Sequence, residues 1–453
     1  MIGFCSIGDP RVSDKPRSLR DPLYGFVELS HEEWQVVNHP AFARLRDIRQ
    51  LGMGHMVYPG ANHTRFEHSI GVVKATTRLF EKLHSRNREF FCGGGFDEMQ
   101  LRSIVRLGAL LHDVGHSPFS HTAEGRFERP ENCSTRPDGN GRFQHEHMTA
   151  RIIRESDLNQ LIKDSFQVDP EHVVFVATEG DVPQNVPYSP QLQVLRQLIT
   201  SELGSDRCDY LVRDAYHSGQ PGGKIDFDRL VDCVLLVDDR GAEHFGFFEG
   251  AAITAEQMIA ERYGAYANLY FHKTKRAYEL HLNKFVDAWL ERGMWPTDLS
   301  EFIAISDSAV LAGIAQAAMD KSSSLHKLAA PFHHRAHYRL AFEMLPADLR
   351  NAEGAARGVT PEEVDGFRDQ VQSEFDDEVL IDQLSHSATG IGEKKSRVRI
   401  QMKDGSIRWL DDLAELVGGM DRRIWRLRIY SSEDRRAAVK DYCQRNRPWR
   451  SAG

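Results

Sequence analysis

The sequence predicts a mainly α protein, a helical core with a small β-hairpin and a smaller C-terminal α+β region. Three observations carry this. Apolar residues recur at helical spacing, as in Ile70, Val72, Val73 and Leu79 and in the run Leu107-Gly-Ala-Leu-Leu111. Residues 231–237 and 244–248 flank Asp238-Asp-Arg-Gly241 and read as a hairpin. Short strands around 398–400 and 427–430 lie among helices near the C-terminus.

Residues 1–20 are polar and rich in Arg, Ser and Pro, and are expected to form a loosely held arm. From Asp21 helices are expected at 31–37 and 40–50, then a loop at 52–60 leading into a helix that begins near His68. After the break Cys92-Gly-Gly-Gly-Phe96, residues 97–111 form the next helix. Surface loops are expected at 130–141, 179–190 and 385–396. Residues 252–290 read as one long helix in which Tyr266, Tyr270, Thr274 and Tyr278 recur every four positions. On periodicity alone that stripe is core packing. The expected division is an arm at 1–20, a main body at 21–295 and a C-terminal region at 296–453.

The 453 residues are 41% hydrophobic and 27% charged, with a net charge of −9, so no basic footprint for nucleic acid is present. The six cysteines (5, 92, 133, 208, 233 and 443) are scattered without a C-x-x-C pair, which fits a reducing cytoplasm. No apolar run approaches the ~20 residues of a membrane span, and the N-terminus does not read as an export signal.

The chemistry concentrates at Leu111-His112-Asp113-Val-Gly-His116-Ser-Pro-Phe-Ser-His121. Here a core-quality apolar helix ends in imidazoles and a carboxylate. His112 and Asp113 are neighbours able to converge on one ion, with His116 one turn beyond. Two ligands are too few, and others follow the same pattern. Arg65-Phe-Glu-His68 opens a helix, and in Ser205-Asp206-Arg207-Cys-Asp209-Tyr210-Leu-Val-Arg213-Asp214 the residues Asp206, Tyr210 and Asp214 share one helical face. Two His and two Asp suit a borderline or hard divalent ion, with Mn, Mg, Fe, Ni and Zn not distinguished.

The ordered set His68, His112-Asp113 and Asp206 resembles the HD superfamily of metal-dependent phosphohydrolases. Further blocks resemble one branch of it: Asp21-Pro-Leu-Tyr-Gly, Phe42-Ala-Arg-Leu-Arg46, Gln50-Leu51-Gly, Tyr58-Pro-Gly, and Gly115-His116-Ser-Pro-Phe-Ser-His121. That branch is the deoxynucleoside triphosphate (dNTP) triphosphohydrolases related to the animal SAM-and-HD-domain enzyme. The similarity runs from about Asp21 to about Lys284, and no SAM module is recognised.

The resemblance implies a helical HD core and a metal held by His68, His112, Asp113 and Asp206, with additional magnesium accompanying the nucleotide. It implies His121 as proton donor, supported by Glu124, His145 and Glu146. Arg65 and His116 are implied at phosphate, and Arg207, Tyr210 and Asp214 at the triphosphate and the sugar 3′-hydroxyl. Gln50 and Leu51 are implied at the deoxyribose, and Tyr278 beside it. The implied substrate is a dNTP, with a nucleotide effector and a homotetramer as family habits.

Departures are as informative. Glu124 stands for aspartate and Arg207 for lysine. Asn38 and Ala43 replace two of three residues that read an activating guanine, and only Arg46 remains. Tyr270 replaces an arginine, so base preference is not carried over. Two other readings stay open at this point. One is HD hydrolysis of another phosphoester, such as a nucleoside monophosphate, cyclic nucleotide or alarmone. The other is a nucleic-acid-binding regulatory protein.

Overall fold

The computed structural model describes residues 16–129, 143–178, 186–345, 360–386, 398–413 and 424–448. Its body is helical, as the spacing predicts. The Arg65–Arg86 helix runs through the centre and packs on Glu98–Leu111 and Ser205–Ser218. Leu107, Leu110 and Leu111 are fully buried. At about 1.5–3 kcal/mol for each such side chain, this apolar turn fixes His112 and Asp113 as its continuation.

Two glycines permit the close approaches that the site needs. A Cβ on Gly71 would lie 2.0 Å from Asp209 Oδ1, and one on Gly115 would lie 2.2 Å from the His145 carbonyl. The first lets the Ser205–Ser218 helix meet the central helix. The second seats the start of His145–Glu155 against the loop after His112.

The strands lie outside this core. Arg17–Asp21 pairs with Gly25–Leu29, so the end of the expected arm is an ordered strand, and residues 1–15 lie outside the described ones. The hairpin is Val234–Asp239 with Ala242–Phe248, because residues 231–233 still belong to the helix Phe227–Cys233. Its second strand pairs in parallel with Arg399–Gln401, which pairs with Ile407–Trp409. A separate antiparallel sheet has Ile424–Ser431 between Arg339–Met344 and Val379–His386. It shares a small core with helices Pro361–Phe375 and Arg436–Asn446.

The C-terminal residues thus divide between two cores. Val310, Phe332, Ile400 and Leu410 join the main one. Ala277, Leu380 and Tyr430 form the seam between the C-terminal sheet and the body. The expected loops at 130–141, most of 179–190 and most of 385–396 lie outside the described residues.

The expected continuous helix over 252–290 is broken. Ala252–Ala265 passes into a π-helical turn, Tyr266–Tyr270, and a new helix, Lys273–Trp289, begins after His272. A π turn adds a residue per turn and rotates every later side chain about the axis. Among the described residues no helix is long and apolar enough to cross a membrane, and Cys92, Cys208, Cys233 and Cys443 are free thiols.

Candidate metal centre and active site

Three helices bring the predicted ligands together. His68 lies in the first turn of Arg65–Arg86, His112 caps Glu98–Leu111, and Asp206 lies in the first turn of Ser205–Ser218. The two imidazole Nε2 atoms are 3.3 Å apart, and Asp206 Oδ1 is 3.0 Å from that of His68 and 3.6 Å from that of His112. Asp113 completes the group, with its carboxylate 3.6 Å from His68 Nε2 and 3.5 Å from His112 Nε2.

The hydrogen bonds on the far sides of the rings show that this cluster fits a cation. His112 Nδ1 donates to the Ala109 carbonyl at 2.9 Å, and His68 Nδ1 lies 2.7 Å from Asp209 Oδ2. Each ring has its Nδ1 proton engaged, which leaves the Nε2 lone pairs pointing at one place. Burial would pull the His68 ring down, but Asp206 and Asp209 raise it to about 10. A metal must therefore displace a proton there. Burial would raise the Asp113 and Asp206 carboxyls, but cationic neighbours outweigh it. Arg65, His112 and His116 hold Asp113 well below the usual range, and His112 and His68 do the same for Asp206.

Asp209 and Arg213 stand behind the candidate site, and sequence reasoning gave them no role. Arg213 donates to both Asp209 oxygens (2.8 and 2.9 Å) and reaches Asp21 at 2.9 Å, fully buried. This buried network orients His68. Its signal was available: an Asp–Arg pair four residues apart on the face behind Asp206 and Tyr210, in a helix already expected to carry a metal ligand and substrate-binding residues.

A second cluster stands beside the first. His116 stacks on His145, with ring centres 3.9 Å apart, and meets His121 edge-on at 4.8 Å. Glu124 holds both partners: one oxygen lies 2.7 Å from His121 Nδ1, and the other contacts His145 Nδ1 and accepts from its backbone N–H at 3.0 Å. Burial acts against the Glu124 charge, but His145 and His121 keep the carboxyl far below its ordinary value. Conversely, burial would lower His145, yet Glu124 raises it to about 9. His116 is pushed well down by burial and by Arg65, and so stays neutral. The turn carrying His121 holds Phe119 and Ser120 at φ of 58° and 56°. Asp307 pins it by accepting from the Phe119 N–H at 2.7 Å and the Arg49 N–H at 3.0 Å.

Both clusters open on one cavity of about 530 Å³. Gln50, Leu51, Arg65, His116, His121, His145, Glu146, Arg207, Tyr210 and Asp214 line it together with the metal ligands. Arg65 binds Asp113 and donates to Ser120 Oγ at 2.7 Å. Asp214 is held on both oxygens, at 2.8 Å by His63 Nε2 and at 2.7 Å by the Tyr270 hydroxyl. Glu124 sits behind the histidines. Tyr278 does not reach the cavity; it is buried against His337 and Phe332. The break in the helix explains this, since Tyr266 and Tyr270 in the π turn line the cavity, whereas Tyr278 belongs to the new helix that starts after His272 and is turned away. Arg46 lies over the Phe66 ring at 3.7 Å, and Asn38 donates to the Trp34 carbonyl.

Comparison with known proteins agrees with this geometry. The HD-domain family matches residues 65–173, the span holding Arg65, His68 and His112-Asp113, and the HD-associated region matches 225–446. An uncharacterised protein of Mycoplasma genitalium is 31% identical over 267 residues, covering 58% of each chain. The deoxynucleoside triphosphate triphosphohydrolase SAMHD1 of Bos taurus is 26% identical over 322 residues, 66% of this chain and 50% of that one. The chain spans about half the length of the curated relatives it matches. A crystal structure of a hypothetical protein from Aquifex aeolicus superposes with a TM-score of 0.73 at 26% identity, covering 94% of this chain and 99% of that one. With the predicted ligands converging inside and beside the matched span, residues 65–173 form an HD domain, and the chain is similar to the deoxynucleoside triphosphate triphosphohydrolases.

Proposed function

We propose that this HD phosphohydrolase is a dNTP triphosphohydrolase that converts a dNTP and water into a deoxynucleoside and tripolyphosphate. The observation that carries the reading is the junction of two clusters on one cavity. A cation site and a carboxylate-held imidazole pair stand side by side, with Arg65 and His116 between them. The family relation to dNTP hydrolases supports the substrate class.

His68, His112, Asp113 and Asp206 would hold the divalent ion, which supplies Lewis acidity toward a phosphoryl oxygen and a more acidic water. Arg65, locked by Asp113 and Ser120, presents its guanidinium to the phosphate. Neutral His116 gives that oxygen a hydrogen-bond donor without adding charge. The water oxygen adds to the α-phosphorus, and the bond from that phosphorus to the 5′ oxygen breaks. His121, with Nδ1 fixed on Glu124, has its other nitrogen available to protonate the leaving 5′ oxygen. Gln50, Leu51 and Asp214 are proposed at the sugar, where the locked Asp214 carboxylate would accept from a 3′-hydroxyl.

The test is ion-pair chromatography of products after incubating the protein with each dNTP and rNTP, singly and in mixtures, with Mn or Mg. Deoxynucleoside plus tripolyphosphate, lost in His112→Ala/Asp113→Ala, is the expected result. Release of orthophosphate, or turnover of nucleoside monophosphates alone, would replace the reading with another phosphoester.

A further inference from the structure

The cations of the cavity wall are not equally available. Arg65 is bound to Asp113, and Lys275 and Arg276 face Glu279 and Asp382. Those cations are matched one for one by carboxylates. One place differs: Arg207 and Arg262 share the single carboxylate of Glu202, at 3.2 Å and 2.6 Å. Glu202 lies in the turn between the helices Pro190–Thr200 and Ser205–Ser218, and Arg262 comes from Ala252–Ala265. Both arginines line the cavity, both are mostly buried, and Arg262 Nε has no hydrogen-bond partner among the described residues.

A buried cluster of two guanidinia and one carboxylate keeps an excess positive charge away from water, which is costly unless an anion completes it. The cluster stands beside the metal centre. Arg207 follows Asp206 directly, and Tyr210, one turn on, lies within the fields of both arginines. Arg262 lies in the last turn of Ala252–Ala265, the helix that leads into the π turn Tyr266–Tyr270.

We infer that Arg262 is a substrate-binding residue that, with Arg207, grips the terminal phosphates of a polyphosphate chain, and that Glu202 is the positioning residue holding both forks toward the cavity. The inference deepens the proposed function and rests on its polyphosphate substrate. A guanidinium pair matches the paired oxygens of adjacent phosphoryl groups, whereas orthophosphate at Arg65 and the metal would not reach it.

Calorimetric titration of inorganic tripolyphosphate and of orthophosphate into metal-loaded, gel-filtered full chain tests this without turnover. Arg262→Gln is expected to weaken tripolyphosphate by about tenfold to a hundredfold, the range of a charge-assisted contact, and to leave orthophosphate unchanged. Equal tripolyphosphate affinity in the variant overturns the inference while leaving the proposed reaction intact. If dNTPs are not hydrolysed but tripolyphosphate binding still depends on Arg262, the inference stands and the reaction falls. No tripolyphosphate binding to the unmutated chain overturns it. Should Arg262→Gln fail to fold, because Glu202 keeps only the longer contact to Arg207, Arg262→Lys decides. It keeps the charge beside Glu202 and loses the fork, so a several-fold loss for tripolyphosphate alone is expected, and unchanged affinity refutes it.

Discussion

The two imidazole clusters share a cavity wall but are built in opposite ways. The candidate metal cluster rests on three long helices. His68 and Asp113 are buried, and Asp209, Arg213 and Asp21 stand behind His68. The second cluster rests on a turn with two left-handed residues, and its His121 side chain is 67% exposed. A ligand set must hold its geometry against the pull of an ion, and burial with a fixed tautomer achieves that. A proton donor must exchange protons with water between turnovers, so exposure suits it, and one carboxylate suffices for orientation.

That contrast can be broken at its strongest point first. Asp206→Ala removes the carboxylate oxygen that lies 3.0 Å from His68 Nε2 and 3.6 Å from His112 Nε2. Metal analysis of gel-filtered protein should show the ion gone, and turnover should fall about a thousandfold or more, since the ion contributes several kcal/mol. Full metal occupancy in this variant would remove Asp206 from the ligand set.

Glu124→Gln should strike the other cluster alone, lowering kcat by about a hundredfold to ten-thousandfold with metal content unchanged. It should also alter stability against pH. Glu124 has a depressed pKa, so its contribution is present above the ordinary value of 4.5 and is lost as pH falls. His145 has a raised one, so its contribution is complete below 6.5 and is lost as pH rises through about 9. The Tm difference between the parent and Glu124→Gln should therefore peak near pH 5–6.5 and fade above pH 9; a flat difference contradicts the pairing.

Asp209→Asn sharpens the comparison more gently. It touches no ion, and competition with a chelator should show metal affinity reduced by about tenfold to a hundredfold. The smallest effect belongs to Tyr278→Phe. Because Tyr278 faces Phe332 and His337, KM for a dNTP should stay within about twofold; a large rise would return Tyr278 to the sugar.

The sequence made the ligands legible because each stands in a short block whose spacing is local: His112 beside Asp113, Arg65 one turn from His68, Asp206 one turn from Tyr210. Asp209 and Arg213 form a local pair, four residues apart on one helix, that was passed over, whereas Asp21 was not assigned because its pairing crosses from a strand near the N-terminus to a helix far along the chain. Such tertiary partners have no periodicity to betray them. Tyr278 shows a different limit. Counting by fours from Tyr266 assumes one continuous α-helix, but a π turn followed by a break at His272 starts a new helix, and the last tyrosine leaves the cavity. The parallel pairing of Phe247 and Phe248 with Ile400 and Gln401 is equally invisible locally, since it joins segments far apart in the chain.

The central claim is attack at the α-phosphorus, with the 5′ oxygen leaving on the nucleoside. Single turnover in ¹⁸O-labelled water, followed by mass spectrometry of both products, tests it most directly. The account predicts one labelled oxygen in tripolyphosphate and none in the deoxynucleoside. Label in the 5′-hydroxyl, or in released orthophosphate or pyrophosphate, would contradict it.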